Sequence, residues 1–147
     1  MRKILPWAAV ILWMALIFFF SAQVAEQSNQ LSTGITEKIV KAVEKVIPGL
    51  GLVAESMNHV VRKNAHFLVY LVLGALTVNA LCSSGVRGFK GIAAALIVCV
   101  LYAVSDEIHQ LFVPGRSGQL TDVLIDSAGA AVGSFAVGIV RRKPQKT

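Results

Sequence analysis

Four strongly apolar stretches, at residues 4–22, 65–82, 89–106 and 121–140, divide this 147-residue chain. A helix that crosses a bilayer needs about 20 mainly apolar residues, because ~30 Å of hydrocarbon must be covered at ~1.5 Å per residue. Each stretch is close to that length, with ends that borrow neighbouring polar residues such as Ser21 and Ser105. The expected fold is therefore all-α: an integral membrane bundle of four transmembrane helices, in one domain over residues 1–147. With 55% hydrophobic and 15% charged residues, a chain this short holds more apolar surface than a soluble domain could bury. The same figures argue against disorder, a disulfide scaffold or a large soluble enzyme. Cys82 and Cys99 both lie in apolar runs, where a thiol acts as a small buried hydrophobe.

The first stretch follows Arg2 and Lys3 and has the look of a secretory signal. Cleavage after Ala22 would put Phe20 where a small residue is needed, so the stretch reads as an uncleaved anchor. Basic residues then set the orientation. Arg2 and Lys3 precede the first span, Arg87 and Lys90 lie between the second and third, and Arg141, Arg142, Lys143 and Lys146 sit in a tail at 141–147. None of these segments contains an acid, which marks them as cytoplasmic and puts both termini on that side. The formal charge of +6 is spread beside apolar segments, which points to a membrane surface as partner and not to nucleic acid.

The outer loop, residues 23–64, has helical amphipathicity. Ile35, Ile39, Val40, Val43, Val46 and Ile47 share one face, opposite Glu37, Lys38, Lys41, Glu44 and Lys45. An amphipathic helix on the outer surface is expected between the first and second spans, stopped by Pro48-Gly49 with a second break at Gly51.

Alternation of four spans brings the ionisable residues nearest the hydrocarbon to one face of the membrane. Arg62, Lys63, His66 and Tyr70 open the second span. Asp106, Glu107, His109 and Gln110 close the third, Arg116 follows a Pro114-Gly115 turn, and Asp122 and Asp126 open the fourth. Helical spacing puts 62, 66 and 70 on one face, and likewise 122 and 126. Ionisable groups at this depth cost several kcal/mol, roughly, unless paired or hydrated, so the cluster is either a functional site or an ion-pair lattice locking helix ends together. The residues lack a His-Glu-x-x-His or paired-cysteine spacing, and no metal or other cofactor is expected. Ser21, Ser105 and Ser117 have no nucleophile elbow around them. Acid–base chemistry by His66 beside Glu107 or Asp122 is open to the site, as is anion binding through Arg62, Lys63, Arg116 and His66. Gly129-x-x-x-Gly133, with Gly74 in the second span, has the spacing for close helix approach, within the bundle or in a homo-oligomer.

Three motifs occur in order: Arg62-Lys63-Asn64-Ala65-His66-Phe67-x-x-Tyr70-x-x-x-Gly74, Ser105-Asp106-Glu107-x-x-Gln110-x-Phe112-x-Pro114-Gly115-Arg116, and Asp122-x-x-x-Asp126-x-x-Gly129-x-x-x-Gly133. Together with Phe20-Ser21-x-Gln23, they make the chain resemble the VanZ-like family of bacterial membrane proteins over about residues 4–138. It departs at Val69, where family members often carry an acid, and at Asp126, where they often carry Asn. The resemblance implies a small four-helix protein of the bacterial cytoplasmic membrane and the cell envelope. The founding member of the family is associated with low-level resistance to the lipoglycopeptide teicoplanin.

Two functions are open to such a chain. One is a binding protein that takes an anionic lipid, a lipid-linked precursor or a lipoglycopeptide through Arg62, Lys63, His66, Tyr70, Asp106, Glu107, Gln110, Arg116, Asp122 and Asp126, and so lowers drug susceptibility. The other is a membrane enzyme acting on a lipid-linked or phosphate-bearing substrate, with His66, Glu107 and Asp122 as catalytic candidates. Asp126 within a span also suggests proton-coupled transport, for which four short helices leave little room.

Overall fold

Backbone amides and carbonyls inside hydrocarbon have no water to bond, so each spanning segment must pair its own, and this chain does so with helices. The computed structural model describes residues 3–23, 25–46 and 54–141. It runs α1 (Ile4–Ser21), α2 (Ala25–Val46), α3 (Ala54–Ser83), α4 (Gly88–Gln110) and α5 (Leu120–Val140), with no strand among the described residues. Four segments are long and apolar enough to cross a membrane: α1, Val60–Ser83 of α3, α4 and α5. Arg2, Ile47, the expected stop at Pro48-Gly49, Gly51 and the tail from Arg142 lie outside the described residues.

The bundle is dressed for lipid. Ile11, Leu12, Phe19, Leu68, Ile97, Leu101, Leu124 and Ile139 are exposed along the helices, while the interior is lined by small or compact side chains such as Ala80, Ala95, Cys99, Ala103 and Ala130. Both thiols are free and buried.

α3 lies at the centre and touches each of the other four helices, most extensively α5. Lipid offers no hydrophobic force to press helices together, so close packing through small residues must supply the attraction. Gly129 and Gly133 of α5 meet the backbone of α3 at Phe67 and Leu71, and Gly74 of α3 meets the backbone of α5 at Ala130. The Gly129-x-x-x-Gly133 face is thus occupied inside the chain. α1 is tied on by two hydrogen bonds between helices. Trp13 Nε1 donates to the Val69 carbonyl (2.9 Å), and Tyr102 Oη donates to the Met14 carbonyl (2.6 Å). At the end of the bundle away from the acidic residues, Trp7 Nε1 donates to Ser84 Oγ (3.0 Å).

Two elements differ from the sequence expectation. The second span is the lower part of a helix that starts at Ala54, so Arg62, Lys63, His66 and Tyr70 stand on one continuous rod. The amphipathic helix begins at Ala25 and takes in most of the long loop, because only Gly34 interrupts its helix-compatible residues and no proline lies between Ala25 and Pro48. It packs on α3 with one flank of its apolar face. Thr36 and Val40 are buried, Asn58 Nδ2 donates to Thr33 Oγ1 (3.3 Å), and Ile35, Ile39 and Val46 stay exposed.

A methyl group added at Gly133 would run into the α3 main chain, which cannot move aside as a side chain can. Gly133→Ala is expected to lose about 1–3 kcal/mol of stability. At Gly34 an added carbon meets nothing within 4 Å, so Gly34→Ala should be neutral or gain up to ~1 kcal/mol. Thermal unfolding in detergent, followed by circular dichroism, separates the two outcomes.

Candidate functional site

The end of α1, the upper part of α3, the end of α4 and the start of α5 meet at one end of the bundle, and the polar residues there form one cluster. Asp106, Glu107, Gln110, Asp122 and Asp126 are all buried, Asp126 completely. His66 Nδ1 lies 3.4 Å from Asp126 Oδ1, so the imidazole on α3 meets Asp126 and not Glu107 or Asp122, the partners weighed from sequence. The reason is register: Gly129, three residues beyond Asp126, seats against the Phe67 carbonyl, one residue beyond His66.

The other carboxylates are held from different elements. Glu107 Oε2 accepts the Gln119 backbone N–H at 2.8 Å, which puts a carboxylate against the first residue of the turn into α5, where a helix start favours negative charge. Asp106 Oδ2 lies 3.4 Å from its donor Gln110 Nε2, one turn along α4, with Ser21 of α1 beside it. Several oxygens have no hydrogen-bond partner among the described residues: Asp106 Oδ1, Glu107 Oε1, Asp122 Oδ1, Asp126 Oδ2 and Tyr70 Oη. Tyr70 is 1% exposed and close enough to Asp106 and Asp126 to feel both charges.

The cations are placed differently from one another. After Val113, Gly115 adopts φ +77°, a left-handed conformation that suits glycine, and the chain turns back. Arg116 then reaches α1, donating from Nε to the Gln23 carbonyl (3.0 Å) and from Nη2 to the Phe20 carbonyl (3.4 Å). A guanidinium against carbonyls at a helix C-terminus complements the helix dipole, and here it joins the Gln23 N–H on the Phe20 carbonyl. Burial, and then the neighbouring Arg62, hold Arg116 below its ordinary pKa. Arg62 and Lys63, half-buried on α3, make no ion pair or side-chain hydrogen bond among the described residues. No ion pair among the described residues joins Arg62, Lys63 or Arg116 to Asp106, Glu107, Asp122 or Asp126, so a lattice in which these cations neutralise some of the acids is not formed. Among the described residues, no group of three or more His, Cys, Asp or Glu side chains is placed to hold a metal ion.

Three contributors were not among the candidate ligand-binding or catalytic residues chosen from sequence. His109 stacks on Phe18 of α1, ring centroids 4.3 Å apart. Ser21 backs Asp106, and the Gln119 amide backs Glu107. Ser21 carries a sequence signal, since Val10, Ile17 and Ser21 fall at intervals of seven and four on the buried face of α1. A backbone amide such as that of Gln119 carries none.

Apolar rods around a common small-residue core, with one polar end, define a multi-pass α-helical membrane protein. The chain matches the VanZ/LLP1 family model over residues 6–141, and it belongs to that family. Comparison with curated proteins and with solved structures gave no match.

The geometry separates a structural arginine from the other cations. Arg116→Ala should lower stability by about 1.5–3 kcal/mol through loss of charge-assisted hydrogen bonds, with incomplete recovery in Arg116→Lys, which lacks the planar fork. Lys63→Ala should stay within about 0.5 kcal/mol of the parent. Melting temperatures of the purified variants, and their abundance in membranes, measure the difference.

Proposed function

We propose that the polar end faces the outside of the bacterial cytoplasmic membrane, with both termini in the cytoplasm, and binds the charged headgroup of an amphiphilic envelope ligand. The orientation rests on Arg87, in the turn between α3 and α4, and Lys90, in the first turn of α4, at the opposite end of the bundle, where no acid accompanies them. The binding role rests on Arg62 and Lys63. Two partly buried cations without a partner among the described residues lose hydration and gain nothing in return unless another anion meets them. Anionic lipids, lipid-linked precursors and lipoglycopeptides such as teicoplanin present phosphate or carboxylate together with an acyl chain, and the exposed apolar flank of the bundle offers the chain a continuous surface. Capture or shielding of such a molecule at the outer leaflet lowers susceptibility to lipidated glycopeptides.

One observation favours a second reading, an enzyme acting on a lipid-linked or phosphate-bearing substrate. His66 is 20% exposed and has a fully buried carboxylate against Nδ1. A carboxylate that orients one ring nitrogen leaves the other for proton transfer.

Expression in a susceptible Gram-positive host tests the binding reading. Wild type should lower susceptibility to teicoplanin and dalbavancin and leave vancomycin unaffected. An Arg62→Gln/Lys63→Gln double variant at equal membrane abundance should lose the effect. A double variant as protective as wild type, or no protection by either, refutes the role. Loss of the effect in His66→Ala alone, together with turnover of a lipid-linked substrate by the purified protein, would favour the enzyme.

A further inference from the structure

The cluster has more acceptors than donors, and the imbalance has a direction. Asp106 Oδ1, Glu107 Oε1, Asp122 Oδ1 and Asp126 Oδ2 are buried without hydrogen-bond partners among the described residues, on side chains at least nine-tenths buried. An ionised carboxylate only accepts, and the groups at hand that can donate are Gln110 Nε2, the Gln119 amide, His66, Ser21, Tyr70 Oη and His109 Nε2, too few for the lone pairs of four carboxylates. Tyr70 Oη, also unpartnered and almost completely buried beside Asp106 and Asp126, adds a further polar atom to the same place. Just above, Arg62 and Lys63 offer donors with no acceptor among the described residues.

An anion alone would satisfy Arg62 and Lys63 and worsen the acidic floor. A cation alone would do the reverse. Among the described residues no three acids converge on one point as the ligands of a metal ion must, whereas an ammonium can be met by one or two carboxylates and a hydroxyl. An ammonium contacts carboxylates at roughly 2.7–2.9 Å and brings three N–H donors.

We infer that the ligand of this site is a zwitterion carrying a phosphate and a primary ammonium, the phosphate at Arg62 and Lys63 and the ammonium among the unpartnered oxygens of Asp106, Asp122 and Asp126 beside Tyr70. The inference rests on the binding role proposed above and narrows its chemistry. Along α3, Arg62 stands four residues, or about 6 Å of rise, above His66, whose ring meets Asp126, so the basic rim and the acidic floor lie at neighbouring levels. The short linker of an aminoethyl phosphate bridges a gap of that order. A phosphatidylethanolamine headgroup carries this chemistry, and so does phosphoethanolamine that is free or attached to a polymer.

The test uses the full-length protein in detergent, with binding read by native mass spectrometry. The probes are phosphatidylethanolamine, phosphatidylglycerol and phosphatidylcholine of one short acyl length, and lipid-free glycerophosphoethanolamine. Phosphatidylethanolamine should bind about tenfold tighter than phosphatidylglycerol, which lacks the ammonium, and than phosphatidylcholine, whose quaternary nitrogen has no N–H. Asp122→Asn should bring phosphatidylethanolamine down to the phosphatidylglycerol level, and Arg62→Gln should weaken both lipids alike. Displacement by glycerophosphoethanolamine at similar concentration supports the inference and assigns a soluble or polymer-borne source; binding of the lipid alone supports it and assigns the membrane.

Equal binding of phosphatidylethanolamine and phosphatidylglycerol overturns the zwitterion and leaves the anionic amphiphile. Equal binding of phosphatidylcholine overturns N–H donation to the acids. Full retention of the preference in Asp122→Asn overturns the placement of the ammonium, and binding of none of the probes overturns both the zwitterion and the headgroup role.

Discussion

The main chains of α3 and α5 touch, and the polar end is arranged by that contact. Gly129 and Gly133 remove the side chains that would hold the helices apart, and Gly74 does so from the opposite side. In lipid the gain is dispersion and electrostatic complementarity over a short distance, which falls away quickly once the backbones separate. The same notch fixes rotation and register. With Gly129 against Phe67 and Gly133 against Leu71, steps of four residues on both helices stay in phase, and His66 and Asp126 meet just above the notch, one residue before Phe67 and three before Gly129. A side chain at position 129 would therefore act on the site without belonging to it.

Around that axis, chemically similar residues carry different duties. Arg116 and Glu107 serve the frame: one closes the carbonyl end of α1, and the other receives the amide at the start of α5. Each joins the α4–α5 turn to a helix end, so the turn itself is pinned on two sides. Arg62 and Lys63 have no such duty among the described residues, and neither do the free oxygens of Asp122 and Asp126. An ion-pair lattice would have matched these cations and acids within a few ångströms; their separation is what leaves the end of the bundle with unmet bonding capacity.

Much of this architecture was legible in the sequence because hydropathy and chain alternation are local, one-dimensional properties. Four apolar runs gave four spans, and alternation alone sent residues 62–66, 106–110 and 122–126 to one end. Pairing within that end was not legible. Whether His66 meets Asp126 or Asp122 depends on helix rotation, and the glycine notch that sets it has a pattern equally suited to a second copy of the chain. The role of Arg116 was hidden for another reason, since its acceptors are the Phe20 and Gln23 carbonyls, which every residue type carries alike. The upward extension of α2 to Ala25 was hidden too, because its polar first turns lack the apolar period that marks the rest of the helix.

The vertical order of charge also bears on how a ligand arrives. Arg62 and Lys63 stand a turn above His66 on a rod that continues to Ala54, so an anionic group meets them before it meets the buried acids Asp106, Asp122 and Asp126. Near a membrane surface such cations act over roughly a Debye length, about 8–10 Å at physiological salt, whereas the buried acids act only at contact because neighbouring helices screen them from approach. The rim therefore governs encounter and the floor governs retention. A ligand selected by both must carry charges of opposite sign in that order, which is why a phosphate followed by an ammonium fits the proposed site and the reverse order does not.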